Sequence, residues 1–101
     1  MNSAERVYKK LMEVPPGMVV SYGELARAAG IINGSRVVGR IMSQNPYPGI
    51  VPCHRVIMSD GRLGGYGYGG THVKADMLQK EGVPIRENRI QDKTRMYYFP
   101  D

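Results

Sequence analysis

The single cysteine of this chain, Cys53, lies in the stretch VPCHRV (residues 51–56), directly before His54, one of only two histidines. A thiol beside an imidazole is a candidate nucleophile with its base. An ordinary cysteine titrates near pKa ~8.5, so only a few per cent is thiolate at neutral pH, and it needs a base or a positive environment to react. His54 offers the first and Arg55 the second. Adjacent residues of an extended strand point to opposite sides, so direct contact between them is not guaranteed and a bridging water would relay the proton. The competing reading is a small buried hydrophobe, the commoner fate of a lone cysteine. One Cys and two His fall short of a structural zinc set, so neither a metal nor another cofactor is expected.

Charge points to a partner. The net charge is +5, yet residues 1–24 carry three basic and three acidic side chains, and residues 60–101 seven and six. Between Leu25 and Ser59 there is no Asp or Glu, while Arg27, Arg36, Arg40 and Arg55 are present. Such a segment is either a solvated basic surface or a surface for a polyanion, nucleic acid foremost. No apolar run approaches the roughly 18 residues that span a bilayer, so no membrane partner is expected. The first ten residues lack a signal core, and a lone cysteine suits a reducing compartment.

Elements must hold these residues in place. A length of 101 residues suits a single domain over 1–101. SAERVYKKLMEV, with Ser3 as N-cap, reads as a helix that PPG at 15–17 stops; MVV follows as one strand of a small ribbon. SYGELARAAG opens on a capping box, Ser21 with Glu24, and ends at Gly30. The turn IING leads to a second helix starting at Ser35, with Arg36 and Arg40 one turn apart. Two short helices around a glycine turn read as a helix-turn-helix, or as a plain αα-hairpin. NPYPGIV is a loop, PCHRVI an extended run, and SDG a turn. RLGGYGYGG has five glycines in nine residues, which denies regular structure and lets backbone approach a flat ligand. It does not fit a phosphate-binding loop. THVKADMLQKE, capped by Thr71 and closed by Gly82, is the last helix, and the aromatic tail MYYFP is expected to pack back.

PCHRV, with NP eight residues upstream, a Gly-Gly-Tyr stretch and KEG downstream, resembles the DNA-binding catalytic domain of the O6-alkylguanine-DNA alkyltransferases over about residues 3–83. The resemblance implies a mainly α, winged helix-turn-helix-like domain with a small β-ribbon, without the family's usual N-terminal domain. It implies that Cys53 accepts an alkyl group from guanine O6, that His54 acts as base through a water, that Glu81 orients His54, and that Asn45 is the hinge. Tyr22 would rotate the target phosphate. Arg36 would replace the extruded base, with Ser35 and Arg40 at the duplex, and Val56, Tyr66 and Tyr68 would line the substrate pocket. The partner would be double-stranded DNA containing O6-alkylguanine, met by a monomer in the cytoplasm of a prokaryote or the nucleus of a eukaryote.

A lesion on guanine O6 lies inside the duplex, so the nucleotide must be flipped before a thiolate reaches it. The S-alkyl cysteine formed is a thioether that thiols do not reverse, and there is no second cysteine, so the protein should act once. Three features depart from the family pattern. GGYGYGG is one residue longer than the family's common pattern, leaving open whether Tyr66 or Tyr68 faces the base; Arg40 and Ile41 stand where smaller residues are frequent; and RMYYFPD resembles the short alkyltransferase-like proteins. Those bind alkylguanine without repairing it and replace the cysteine, usually by tryptophan. Lesion binding alone is therefore one alternative reading, and a transcriptional helix-turn-helix protein another.

Overall fold

The computed structural model describes residues 1–100. Helix α1 (Ser3–Leu11) is followed by strand β1 (Val20–Ser21), then α2 (Tyr22–Ala28) and α3 (Ser35–Ser43). After a long loop come a one-turn 3₁₀ helix at Cys53–Arg55, β2 (Val56–Ile57), α4 (Thr71–Lys80), and a hairpin of β3 (Ile85–Arg86) and β4 (Arg89–Ile90). A second 3₁₀ turn, Lys93–Arg95, precedes the tail. The fold is mainly helical with two small sheets, and α2 and α3 form the helix-turn-helix.

The caps differ from the sequence expectation in three places. Asn2, not Ser3, caps α1, its side chain accepting from the Glu5 amide at 2.8 Å. At α2 the Ser21 hydroxyl accepts from the Glu24 amide at 3.0 Å, but the Glu24 carboxylate turns outward to Arg27 and to the Phe99 amide, so only half the capping box forms. Gly70, not Thr71, occupies the N-cap of α4, and the Thr71 hydroxyl reaches back to the Gly64 carbonyl at 3.2 Å. Gly30 and Gly82 adopt φ of +77° and +94° just past their helices, the left-handed turn that a glycine permits.

Strands β1 and β2 pair in parallel, Val20 opposite Val56 and Ser21 opposite Ile57. Side chains alternate across a strand, so this seam feeds two cores. Val20 and Val56 enter a cluster with Val7, Leu11, Leu25, Val38 and Cys53; Val19 and Ile57 enter another with Leu63, Leu78, Val83 and Ile90. Each fully buried Val or Leu contributes about 1.5–3 kcal/mol, so the seam holds the cysteine turn between well-packed walls. The tail packs back as its composition suggests. Phe99 is buried in the first core, edge-on to Tyr97 at 4.9 Å, while Tyr98 points to solvent.

Candidate active site

The PCHRVI run is not extended throughout. Pro52 and its neighbours wind Cys53–Arg55 into a 3₁₀ turn, with the Cys53 amide donating to the Val51 carbonyl at 2.8 Å and the Arg55 amide to Pro52 at 2.9 Å. Successive side chains on such a turn diverge by about 120°. Cys53 therefore enters one wall while His54 and Arg55 turn toward the end of α4. The thiol is free and only 6% exposed.

His54 Nε2 lies 2.9 Å from Glu81 Oε2. Arg55 donates to the same carboxylate twice, through Nε to Oε1 at 3.0 Å and Nη2 to Oε2 at 2.7 Å, and its Nη1 donates to the Val14 carbonyl at 2.9 Å. One guanidinium thus ties the segment just after α1, the cysteine turn and the C-cap of α4. Burial favours protonation of Glu81, but the hydrogen bonds from Arg55 and His54 outweigh it, and its carboxyl stays below the usual range. An ionised carboxylate only accepts, so His54 Nε2 carries the proton and Nδ1 keeps its lone pair. Burial lowers the His54 pKa, more than the neighbouring carboxylate raises it. The imidazole is neutral at pH 7 and able to act as a base.

Two loops close over the thiol. Asn45, 1% exposed, donates from Nδ2 to the Val51 carbonyl at 3.1 Å and accepts from the Tyr47 amide at 2.9 Å, which fixes the approach to the cysteine turn. From the other side, the Tyr68 hydroxyl donates to the Asn45 carbonyl, and Tyr66 packs against the core cluster that contains Cys53. The two rings pack edge to face at 5.9 Å. Tyr66 is thus the tyrosine on the thiol's side, and Tyr68 the one that latches the glycine-rich loop to Asn45. Val56 is fully buried in the core beneath, so it backs the thiol rather than lining an open pocket.

Lys74 is a residue that sequence reading passes over. On a helix of weak amphipathicity it looks like solvated surface, yet it is fully buried. Its Nζ donates to the carbonyls of Leu63 at 2.5 Å and Gly65 at 3.2 Å and sits 5.9 Å from the centre of the Tyr22 ring. Burial lowers its pKa to about 8, partly opposed by attraction to Cys53, so at pH 7 it places a cation near the thiol and holds the glycine-rich loop. Only the density of unpaired carbonyls in that loop could have signalled it.

The remaining candidates lie on a different face. Ser35, Arg36 and Arg40 are exposed on α3, and neither Arg36 nor Arg40 forms an ion pair with its side chain among the described residues. Half-buried Tyr22, Arg36, Gly39, Gly64 and Gly65 line a cleft of about 260 Å³ between α3 and the glycine-rich loop. Arg27, from the same acid-free segment, instead pairs with Glu24 at 2.8 Å and donates to the Phe99 carbonyl at 2.9 Å. The structure therefore assembles two groups: Cys53, His54, Glu81, Asn45, Tyr66 and Tyr68 in one, and Tyr22, Ser35, Arg36 and Arg40 in the other.

Residues 2–83 match the family described as 6-O-methylguanine DNA methyltransferase, DNA binding domain. The chain belongs to that family. A methylated-DNA–protein-cysteine methyltransferase of Cricetulus griseus is 44% identical over 86 residues, which cover 85% of this chain and 41% of that protein. The Rattus norvegicus protein of the same name is 47% identical over 77% of this chain and 37% of its own length. The chain thus spans less than half the length of these alkyltransferase relatives. Among solved structures, S. pombe Atl1 in complex with damaged DNA containing O6-carboxymethylguanine superposes with a TM-score of 0.84 at 31% identity, covering 96% of this chain and 95% of that one. Mycobacterium tuberculosis OGT in complex with DNA gives 0.76 at 43% identity, covering 80% and 50%. The likeness to Atl1 includes the β3–β4 hairpin and tail, which the family match leaves out.

Proposed function

We propose that the chain repairs DNA by transferring an alkyl group from guanine O6 to Cys53, once per molecule. The observation that carries this reading is the junction of the free Cys53 with a neutral His54 locked on Glu81. His54 Nδ1 takes the thiol proton through an intervening water, and the thiolate sulfur attacks the alkyl carbon. The new S–C bond forms as the C–O6 bond breaks, and guanine leaves with the electron pair and takes up a proton. Glu81 holds the imidazolium that forms, Tyr66 and the glycine-rich loop receive the flat base, and Asn45 fixes the loop below it. Tyr22 and Arg36 act at the duplex, the first on the target phosphate and the second in the space that the flipped base vacates. None of this requires a metal or cofactor. No helix among the described residues is long and apolar enough to cross a membrane, and a repair role would put the protein at the nucleoid or in the nucleus.

A second reading, lesion binding without transfer, is favoured by the near end-to-end likeness to Atl1. Intact mass after incubation with O6-methylguanine duplex separates the two. Transfer adds about 14 Da, a methyl for a proton, on the peptide bearing Cys53 and stops at one equivalent. An unchanged mass with tight lesion binding establishes the second reading. Label elsewhere, or repeated turnover, overturns the first.

A further inference from the structure

Beyond α3, the hairpin that follows α4 carries a second basic surface. Arg86 lies opposite Arg89 across β3 and β4, and Arg89 lies opposite Arg62 in an antiparallel bridge. That bridge is bracketed by hydrogen bonds from the Leu63 amide to the Asn88 carbonyl and from the Ile90 amide to the Gly61 carbonyl, both 3.0 Å. Residues directly opposed in an antiparallel pair point to the same face, their Cβ atoms about 4.5–5.5 Å apart. Three arginines therefore form a ladder on one face, while Leu63 and Ile90 fill the second core on the other.

Like charges placed directly opposite one another destabilise a ribbon, so the fold does not call for this arrangement. Relief inside the chain is partial. Arg62 donates to the Asp60 carboxylate at 2.7 Å, and Arg89 donates to the Asp60 carbonyl at 2.7 Å. Glu87 stands in the hairpin turn, and the Arg86 side chain has no ion pair among the described residues. All three arginines are exposed. The ladder is also continuous with the duplex-facing group: Arg62, Asp60 and Ser59 share a cleft of about 250 Å³ with Tyr22, Gly23 and Ser35. A row of arginines on one face beside that cleft offers charged donors to the phosphates of a strand running on from it.

We infer that Arg62, Arg89 and Arg86 bind the DNA backbone flanking the lesion, extending the footprint past the helix-turn-helix. This rests on the DNA-repair reading above. Two of the three residues lie outside the segment matched to the family.

The test is the salt dependence of affinity for an undamaged duplex. Each phosphate contact adds about 0.9 to the slope of log K against log salt. Arg86→Gln should lower the slope by about 1 and Arg86→Gln with Arg89→Gln by about 2, with the thermal midpoint unchanged or raised because like charges are removed. Arg86→Lys should restore the slope, since a phosphate contact needs the charge. An unmodified chain with a steep slope that both glutamine variants retain would overturn the ladder and leave the repair reading standing. An unmodified chain without salt-dependent duplex binding would overturn both. If the double variant melts early, Arg86→Gln alone decides, because that side chain supports no other group in the ion-pair network.

Discussion

Arg55 and Arg36 come from the same acid-free stretch, Arg36 as the second residue of α3 and Arg55 as the third of the 3₁₀ turn. Arg55 is mostly buried and commits its donors to Glu81 and the Val14 carbonyl. Arg36 is exposed on the wall of a cleft and reaches no carboxylate among the described residues. The difference lies in what surrounds each. Arg55 sits on a turn clamped between two cores, where a charge is tolerated only with a partner. Arg36 opens α3, whose buried face is set by Val38, Ile41 and Met42, so its own face is left to solvent or a ligand. Arginine in the first region builds the site; arginine in the second is available for a phosphate or a base stack.

The sharpest way to break that division is at Glu81. Glu81→Gln and His54→Asn should each slow transfer by roughly 10²–10³, and the double variant should be little worse than the poorer single one, because the two act as a unit. Fully additive losses would show that they do not. The pH profile adds a second readout. Transfer should fall on acidification with a midpoint below the ordinary histidine value of ~6.5, since burial lowers the His54 pKa, and that limb should vanish in His54→Asn. Folding should weaken in the same direction. A histidine whose pKa is lowered by folding binds its proton more readily unfolded, so its contribution declines as pH drops below ~6.5. Glu81, with its pKa lowered as well, adds a further loss as pH falls through the carboxylate range. Thermal melts against pH separate this loss of fold from loss of base.

How much of this was legible in the sequence depended on whether the signal was local. Gly30 and Gly82 ended their helices where the pattern put them, because a left-handed turn is a one-residue decision. The helix-turn-helix was readable from Ser21 and the IING turn for the same reason. The outcome for Glu24 was not: its carboxylate is drawn off by Arg27 and by the amide of Phe99, 75 residues away. The one-residue surplus in GGYGYGG left Tyr66 and Tyr68 equivalent in sequence, and what distinguishes them is tertiary: Tyr66 packs on the core cluster that contains Cys53, and Tyr68 bonds to Asn45. Lys74 and the arginine ladder are illegible for the same reason, since burial and cross-strand register are tertiary facts.

Arg36→Ala probes the open side of the comparison. Flipping a base costs a few kcal/mol, and a guanidinium in the vacated space can stack and donate hydrogen bonds. Losing it should slow repair of well-paired duplex by roughly tenfold or more, and of mismatched sites by less. Free O6-benzylguanine needs no flipping and should react with Cys53 near the unmodified rate. Equal slowing on both substrates would mean that Arg36 supports the cleft as Arg55 supports the cysteine turn, and the division between the two arginines would collapse.

The smallest expected effect is at Arg40, one helical turn along from Arg36 on the same exposed face. Its side chain makes no hydrogen bond or ion pair among the described residues; beyond the helix's own bonds its carbonyl accepts from the Ser43 hydroxyl at 2.7 Å, and any residue supplies that. The side chain therefore contributes at most one phosphate contact, about 0.9 in the salt slope, so a fourfold rise in salt should weaken the Arg40→Ala variant by about 3.5-fold less than the unmodified chain. Placed in a helix interior, alanine should leave stability unchanged or slightly raise it. A lowered melting temperature, or slowed reaction with the free base, would assign Arg40 to the packed side of the molecule. A change confined to the salt slope puts it beside Arg36, with charge as its whole contribution.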